Sequence, residues 1–132
     1  MPSQRLARVQ NLLRAEISTI MLRKLKDPRV HMATISDVDV APDLKNAHVW
    51  VSVYGDRDYQ EEAIEGLRSA ARFIRAELMK VLDLRPMPLF TFDLDTSLAR
   101  GAHTLDVMDR VLHGQAEDQP GPGPGGAPDP AQ

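Results

Sequence analysis

The chain has 132 residues, 42% of them hydrophobic and 27% charged, with a formal net charge of −3 and no cysteine. That length suits one domain, and the absence of cysteine excludes a disulfide framework and thiolate chemistry, as fits a reducing compartment. No apolar run approaches the roughly 20 residues that span a bilayer, and the N-terminus lacks the apolar stretch of a signal peptide, so a soluble, cytoplasmic protein with no membrane partner is expected.

The net charge hides a segregation. Residues 1–29 carry seven Lys/Arg against two acids, and residues 66–86 carry five against two. Residues 37–65 reverse this with two against eight, and residues 87–132 with two against seven. Each basic block coincides with an expected helix, which fits either one positive surface on a weakly acidic protein or two ordinary solvated helices.

In chain order, Gln4 to Lys26 reads as an amphipathic helix with Leu6, Val9, Leu13, Ile17 and Ile20 on one face. Arg5 and Arg23 are eighteen residues apart, as are Arg8 and Lys26, and that spacing is about five whole turns. The four cations therefore form a stripe along one flank, long enough to follow a phosphate backbone, while Arg14 and Lys24 point elsewhere. Asp27-Pro28 ends the helix, because the residue before proline is pushed out of the α region.

Thr34 to Ala41 reads as a strand of imperfect alternation, with Ile35 out of phase with Val38 and Val40, which points to a bulge nearby. Ala47 to Tyr54 is a clear strand, with Ala47, Val49, Val51 and Val53 on one face and His48, Trp50, Ser52 and Tyr54 on the other. The two strands are close enough to pair as an antiparallel hairpin with one wet face. Trp50 on that polar face suits stacking on a base or on a partner protein, or else supports the sheet as a surface aromatic.

Asp58 is an N-cap candidate, with Glu61 three residues on, and no proline follows until Leu84 is passed. Ile64, Leu67, Ala71, Ile74, Leu78 and Val81 keep helical spacing, and Arg68, Arg72 and Arg75 fall within about 60° of one another beside that stripe. Pro86 and Pro88 stop the helix, and Leu89 to Leu94 switches to period two, with Phe90, Phe92 and Leu94 on one face. Ala102 to His113 reads as a short packing helix carrying Leu105, Met108, Val111 and Leu112. From Gly114 onward, ten of nineteen residues are Gly or Pro, a composition that cannot offset its ordering entropy. The expected division is thus a domain over residues 1–113 and a disordered Gly/Pro-rich tail over 114–132.

The order α–β–β–α–β predicts an α+β fold with helices packed on one face of a three-stranded sheet. It resembles the bacterial, type II form of the KH domain, an RNA-binding fold. The KH phosphate clamp, a G-x-x-G turn between helices, has no counterpart here, since Gly123 to Gly126 sits in the low-complexity tail.

A closer resemblance rests on Lys26-Asp27-Pro28-Arg29, on Phe73-Ile74-Arg75, and on the run Leu84-Arg85, Pro88, Phe90, Phe92, Asp95 and Ser97. In this order and spacing, over roughly residues 4–112, they resemble the ribosome-binding factor A family of small bacterial ribosome-maturation proteins. The resemblance implies a KH-type fold without the clamp and binding to the immature 30S small subunit near its decoding region. It further implies a role in late maturation, including processing of the 5′ end of 16S rRNA, and a link to cold adaptation; a monomer is expected. The family places an Ala-x-Gly kink where the clamp would sit, and this chain has Ala70-Ala71-Arg72 there, so a shallower or displaced kink is expected.

The residues expected to face RNA are Arg5, Arg8, Arg23 and Lys26 with Arg29 beside them, followed by Arg68, Arg72, Arg75, Lys80 and Arg85. Asp37-x-Asp39 and Asp93-x-Asp95 each place two carboxylates on one strand face, a spacing that can hold a divalent cation, although alternating Asp on a wet face is the commoner reading. His31, His48, His103 and His113 lack metal-ligand spacing, and no nucleophile motif or Walker-type loop is present. No catalysis, metal, cofactor or small-molecule substrate is therefore expected. The alternatives are a general KH-like RNA-binding protein, or a protein-binding adaptor using Trp50 and Tyr54, which salt dependence of RNA binding would separate.

Overall fold

The computed structural model describes residues 4–113, and the chain divides into two compact units, the first ending at Asp95 and the second beginning at Thr96. The first contains α1 (Gln4–Arg23), a 3-10 turn (Pro28–Val30), β1 (Ala33–Val40), β2 (Asn46–Val53), α2 (Arg57–Ser69), α3 (Ala71–Val81) and β3 (Leu89–Leu94). The second contains α4 (Ser97–His113). Among the described residues, no helix is long and apolar enough to cross a membrane.

Val9, Leu13, Ile17 and Ile20 are buried along α1, as their spacing predicts. The helix nevertheless stops at Arg23, three residues short of the expected end. Lys24 N still donates to Ile20 O at 2.8 Å, but Leu25 N reaches back to the same oxygen at 3.2 Å, which unwinds the last turn and packs Leu25 against the core. Lys26 therefore lies outside the helix, and its five-turn alignment with Arg8 is lost.

The sheet has the order β1-β2-β3, with β1 and β2 antiparallel and β2 and β3 parallel. The register shifts between Ile35 and Asp37, so the expected bulge falls at Ser36 and returns Ile35, Val38 and Val40 to one buried face. Ala47, Val49, Val51 and Val53 of β2 and Phe92 of β3 share that face with residues of all three helices of the unit. The layering is therefore helices on one side of a three-stranded sheet.

The long central helix is in fact two. Asp56, not Asp58, is its N-cap: Asp56 is extended at φ −76° and ψ 176°, and its carboxylate accepts from Tyr59 N at 2.9 Å. Gly55, at φ +133°, makes the turn into that cap, a conformation few other residues adopt. Asp58 sits in the first turn, where the helix dipole favours its charge. The break falls at Ala70 (φ −91°, ψ 2°), whose N–H is shared between Gly66 O at 3.1 Å and Leu67 O at 3.0 Å. Arg68 and Arg72 thus belong to different helices, so the single-helix arc expected of Arg68, Arg72 and Arg75 is interrupted between them. α3 ends at Val81, with Leu82 already extended.

In the second unit, Thr96 starts α4 by accepting from Ala99 N on its hydroxyl at 3.0 Å and from Arg100 N on its carbonyl at 2.9 Å. The helix therefore begins five residues before the expected Ala102. Leu98, Leu105 and Met108 are exposed. The tail at 114–132, including Gly123 to Gly126, lies outside the described residues.

Candidate functional site

The two basic blocks meet at one carboxylate. Glu77 of α3 is only 8% exposed. Its Oε1 accepts from Lys24 Nζ at 2.9 Å and its Oε2 from Lys80 Nζ at 2.8 Å. Lys80 and Lys24 hold the Glu77 carboxyl below the usual glutamate range, and burial only partly opposes them. Two positive groups against one negative leave this junction net cationic, and both lysines stay more than half exposed. Lys24, which the helical wheel directed away from the stripe, is the residue that joins α1 to α3. Its Glu77 partner lies 53 positions away, so only the fold brings them together.

Around this junction, Arg23 ends α1 and Lys26 follows it, both exposed, and Arg72 is exposed on α3. Arg5 and Arg8 are exposed near the start of α1, whose only acid is Glu16. Among the described residues, no ion pair holds Arg5, Arg8, Arg23, Lys26 or Arg72. These five cations, with Lys24 and Lys80, are available to meet an anionic partner, as is exposed Arg14 elsewhere on α1.

The other expected cations are engaged within the fold. Arg29 Nε and Nη2 grip both oxygens of Asp27 at 2.7–3.1 Å, and Nη1 lies 3.9 Å from Glu65. That fork holds the Asp27 carboxyl below its ordinary range, and the Arg29 backbone N–H adds to the effect. Gly66 of α2 packs against the fork: a Cβ there would lie 3.1 Å from Asp27 Oδ2 and 3.2 Å from Val30 Cγ1.

Arg68 and Arg75 serve the free edge of β3. Leu89 N donates to Lys45 O, just before β2, and Asp95 N to Val51 O within it. In a parallel ladder this leaves the main-chain groups of the alternate residues on the open edge. Arg68 Nε donates to Phe92 O at 3.0 Å there, while Arg75 Nε and Nη2 donate to Pro88 O at 3.0 Å and Met87 O at 2.9 Å. Arg68 thus satisfies an edge carbonyl of β3 that would otherwise invite strand addition, and Arg75 holds the two carbonyls that lead into the strand. Arg85 lies 3.3 Å from Asp83, with both side chains about nine-tenths exposed, a pair worth little.

The outer face of the sheet departs from expectation at Trp50. Its side chain is 1% exposed, its Nε1 donates to Asp39 Oδ2 at 3.0 Å, and its ring stacks on His48 with centroids 4.2 Å apart. Trp50 is therefore not open to a base or a partner. His48 Nε2 lies 2.9 Å from Asp93 Oδ2, and Arg68 Nη2 donates to the other oxygen of Asp93. Burial opposes ionisation of Asp93, but His48 and then Arg68 outweigh it and hold the carboxyl below the usual range. Asp37 accepts from Val38 N at 2.9 Å. Asp37, Asp39 and Asp93 each have a partner within the sheet or from α2, and no cluster suited to a metal ion occurs among the described residues.

The family model of ribosome-binding factor A matches residues 5–108. A ribosome-binding factor A of Synechococcus sp. is 42% identical over 111 residues, which cover 83% of this chain and 77% of the relative. The solution structure of a Thermotoga maritima protein assigned as a ribosome-binding factor A matches with a TM-score of 0.64 and 29% identity, covering 74% of this chain and 92% of that one. A Thermus thermophilus ribosome-binding factor A, a homology model fitted into the cryo-EM map of a complex with the 30S subunit, matches with a TM-score of 0.52 and 25% identity, covering 70% and 93%. The fold is the KH-like one of these structures. With the match spanning most of both partners, the chain belongs to the ribosome-binding factor A family.

Proposed function

We propose that this chain is an assembly factor of the small ribosomal subunit that grips 16S rRNA through the basic surface of α1 and α3. The observation that carries this reading is the junction at Glu77, where Lys24 and Lys80 share one carboxylate and bring two separate basic blocks together. Phosphate contacts from Arg and Lys supply affinity and register without reading sequence, which suits a factor that recognises the shape of a folded RNA. Family membership and the Thermus thermophilus protein fitted into a 30S complex support the same partner.

In this reading residues 1–113 form the ribosome-binding domain and work as a cytoplasmic monomer without cofactor or catalysis. The domain supports late maturation, including processing of the 16S rRNA 5′ end, and growth in the cold. The acidic face of α2, lined by Asp58, Glu61, Glu62 and Glu65, is repelled by phosphate and turns away from the RNA. Sedimentation of cell extract tests the assignment: the chain should travel with free small subunits and immature particles, and be lost from that peak at high salt. Sedimentation with fully assembled ribosomes only, or with neither, would refute it.

A further inference from the structure

The outward side of α3 pairs apolar and cationic groups in a way that the phosphate-gripping account leaves unused. Arg72, Phe73, Ala76, Met79 and Lys80 are all exposed, with Phe73 at 43% and Met79 at 56%. Residues three and four apart are neighbours on a helix, so Ala76 lies among Arg72, Phe73, Met79 and Lys80. Alanine in the middle of four longer side chains leaves a shallow seat with an aromatic ring and a thioether on its walls. Arg72 and Lys80 flank it, about 12 Å apart along the axis.

We propose that this seat takes an unpaired nucleotide of RNA, its base lying over Ala76 against Phe73 and Met79 and its neighbouring phosphates on Arg72 and Lys80. This assignment rests on the ribosomal-RNA reading above and narrows it to a single-stranded or bulged segment at α3. Charge favours a nucleic acid over an apolar protein partner. Residues 71–85 carry four cations against two acids, and one of those acids, Glu77, is already held by two lysines. An apolar partner would desolvate the flanking cations without return, whereas a nucleotide brings a planar base and anionic flanks together. A duplex cannot offer the base face, because its bases are stacked on one another. Lys80 gives one of its three donors to Glu77 and keeps two for a phosphate.

The test uses the full chain, a short fluorescein-labelled RNA with no self-complementarity, the corresponding RNA duplex, and purified small subunits. Phe73→Ala should weaken binding of the unpaired RNA roughly 5- to 150-fold, the range of one base–aromatic stack, and leave the duplex affinity and both salt slopes unchanged. A second variant guards against a folding defect on loss of the ring. Ala76→Leu keeps a strong helix former at an exposed position while filling the seat, and should give the same selective loss. Phe73→Trp should retain binding, with indole emission quenched by the unpaired RNA and not by the duplex. The proposal is overturned if both Phe73→Ala and Ala76→Leu bind the unpaired RNA as the parent does, or if unpaired and duplex RNA weaken equally. It also fails if only protein contacts of the small subunit are lost. Should the parent chain bind neither RNA nor small subunits in a salt-dependent way, the RNA reading itself falls, whatever the variants do.

Discussion

Replacing Phe92 with alanine removes the aromatic group at the centre of β3, opposite Val49 of β2 and fully buried under the helices. The lost transfer energy of such a side chain is roughly 1.5–3 kcal/mol. The cavity adds to it, because the strand is held by the ladder to β2 and by Arg68 on the Phe92 carbonyl, so the site cannot collapse. The total should reach about 3–5 kcal/mol. A domain of this size has about 5–15 kcal/mol to lose. Urea unfolding followed by circular dichroism should show the midpoint falling by about 1–5 M with the slope unchanged. Tyr54→Ala is the control: Tyr54 is 79% exposed, and its loss should change stability by less than about 0.5 kcal/mol. An unmoved midpoint for Phe92→Ala, or an equal drop for Tyr54→Ala, would refute this account of the core.

Two further outcomes follow from the packing around the basic helices. Gly66→Ala should lower the melting temperature: the helical preference for alanine contributes about 1 kcal/mol, but its Cβ would press on Asp27, clamped by Arg29, and on buried Val30, a crowding that costs about 1–3 kcal/mol. A rise in melting temperature would show that the Asp27–Arg29 fork yields. The depressed pKa values of Asp27, Glu77 and Asp93 make the folded state the weaker proton binder, so the stability they contribute is complete above the ordinary carboxylate range and drains away as pH falls through and below it. Melting temperature should therefore decline on acidification below the ordinary Glu77 value of 4.5, and Glu77→Gln should be less stable at neutral pH with a shallower acid decline. An acid limb identical to that of the parent would mean that Glu77 is not held ionised by Lys24 and Lys80.

Much of the framework was legible because burial leaves a period in the residues. The alternation of Ala47 to Val53 and of Phe90 to Leu94 marks β2 and β3 to within a residue, and the phase slip at Ile35 marks the bulge. The break at Ala70 was not visible locally, since Ala70-Ala71-Arg72 are good helix formers, and only the resemblance to a kinked family pointed there. The early end of α1 escaped for a similar reason: Asp27-Pro28 permits a helix as far as Lys26, but packing of Leu25 ends it sooner. Charge was the least legible quantity. A wheel places Arg68 and Arg75 on a flank, but cannot tell that β3 and the segment leading into it will present open carbonyls to them. Trp50 was misplaced because its hydrogen-bond partner, Asp39 on β1, becomes a neighbour only once the strands are in register.

The central claim, that the face joined at Glu77 holds the small subunit by its RNA phosphates, is tested most directly by the salt dependence of binding. Arg5, Arg8, Arg23, Lys26 and Arg72 are exposed and outside the buried core, so changing all five to alanine should leave the fold intact. Affinity of the parent chain for purified 30S subunits should fall linearly with log salt concentration. The fivefold variant should bind more weakly at low salt, with a slope flatter by up to about 0.7–0.9 for each phosphate contact removed. Unchanged affinity and an unchanged slope in a folded variant would contradict the claim and reduce the basic face to two solvated helices.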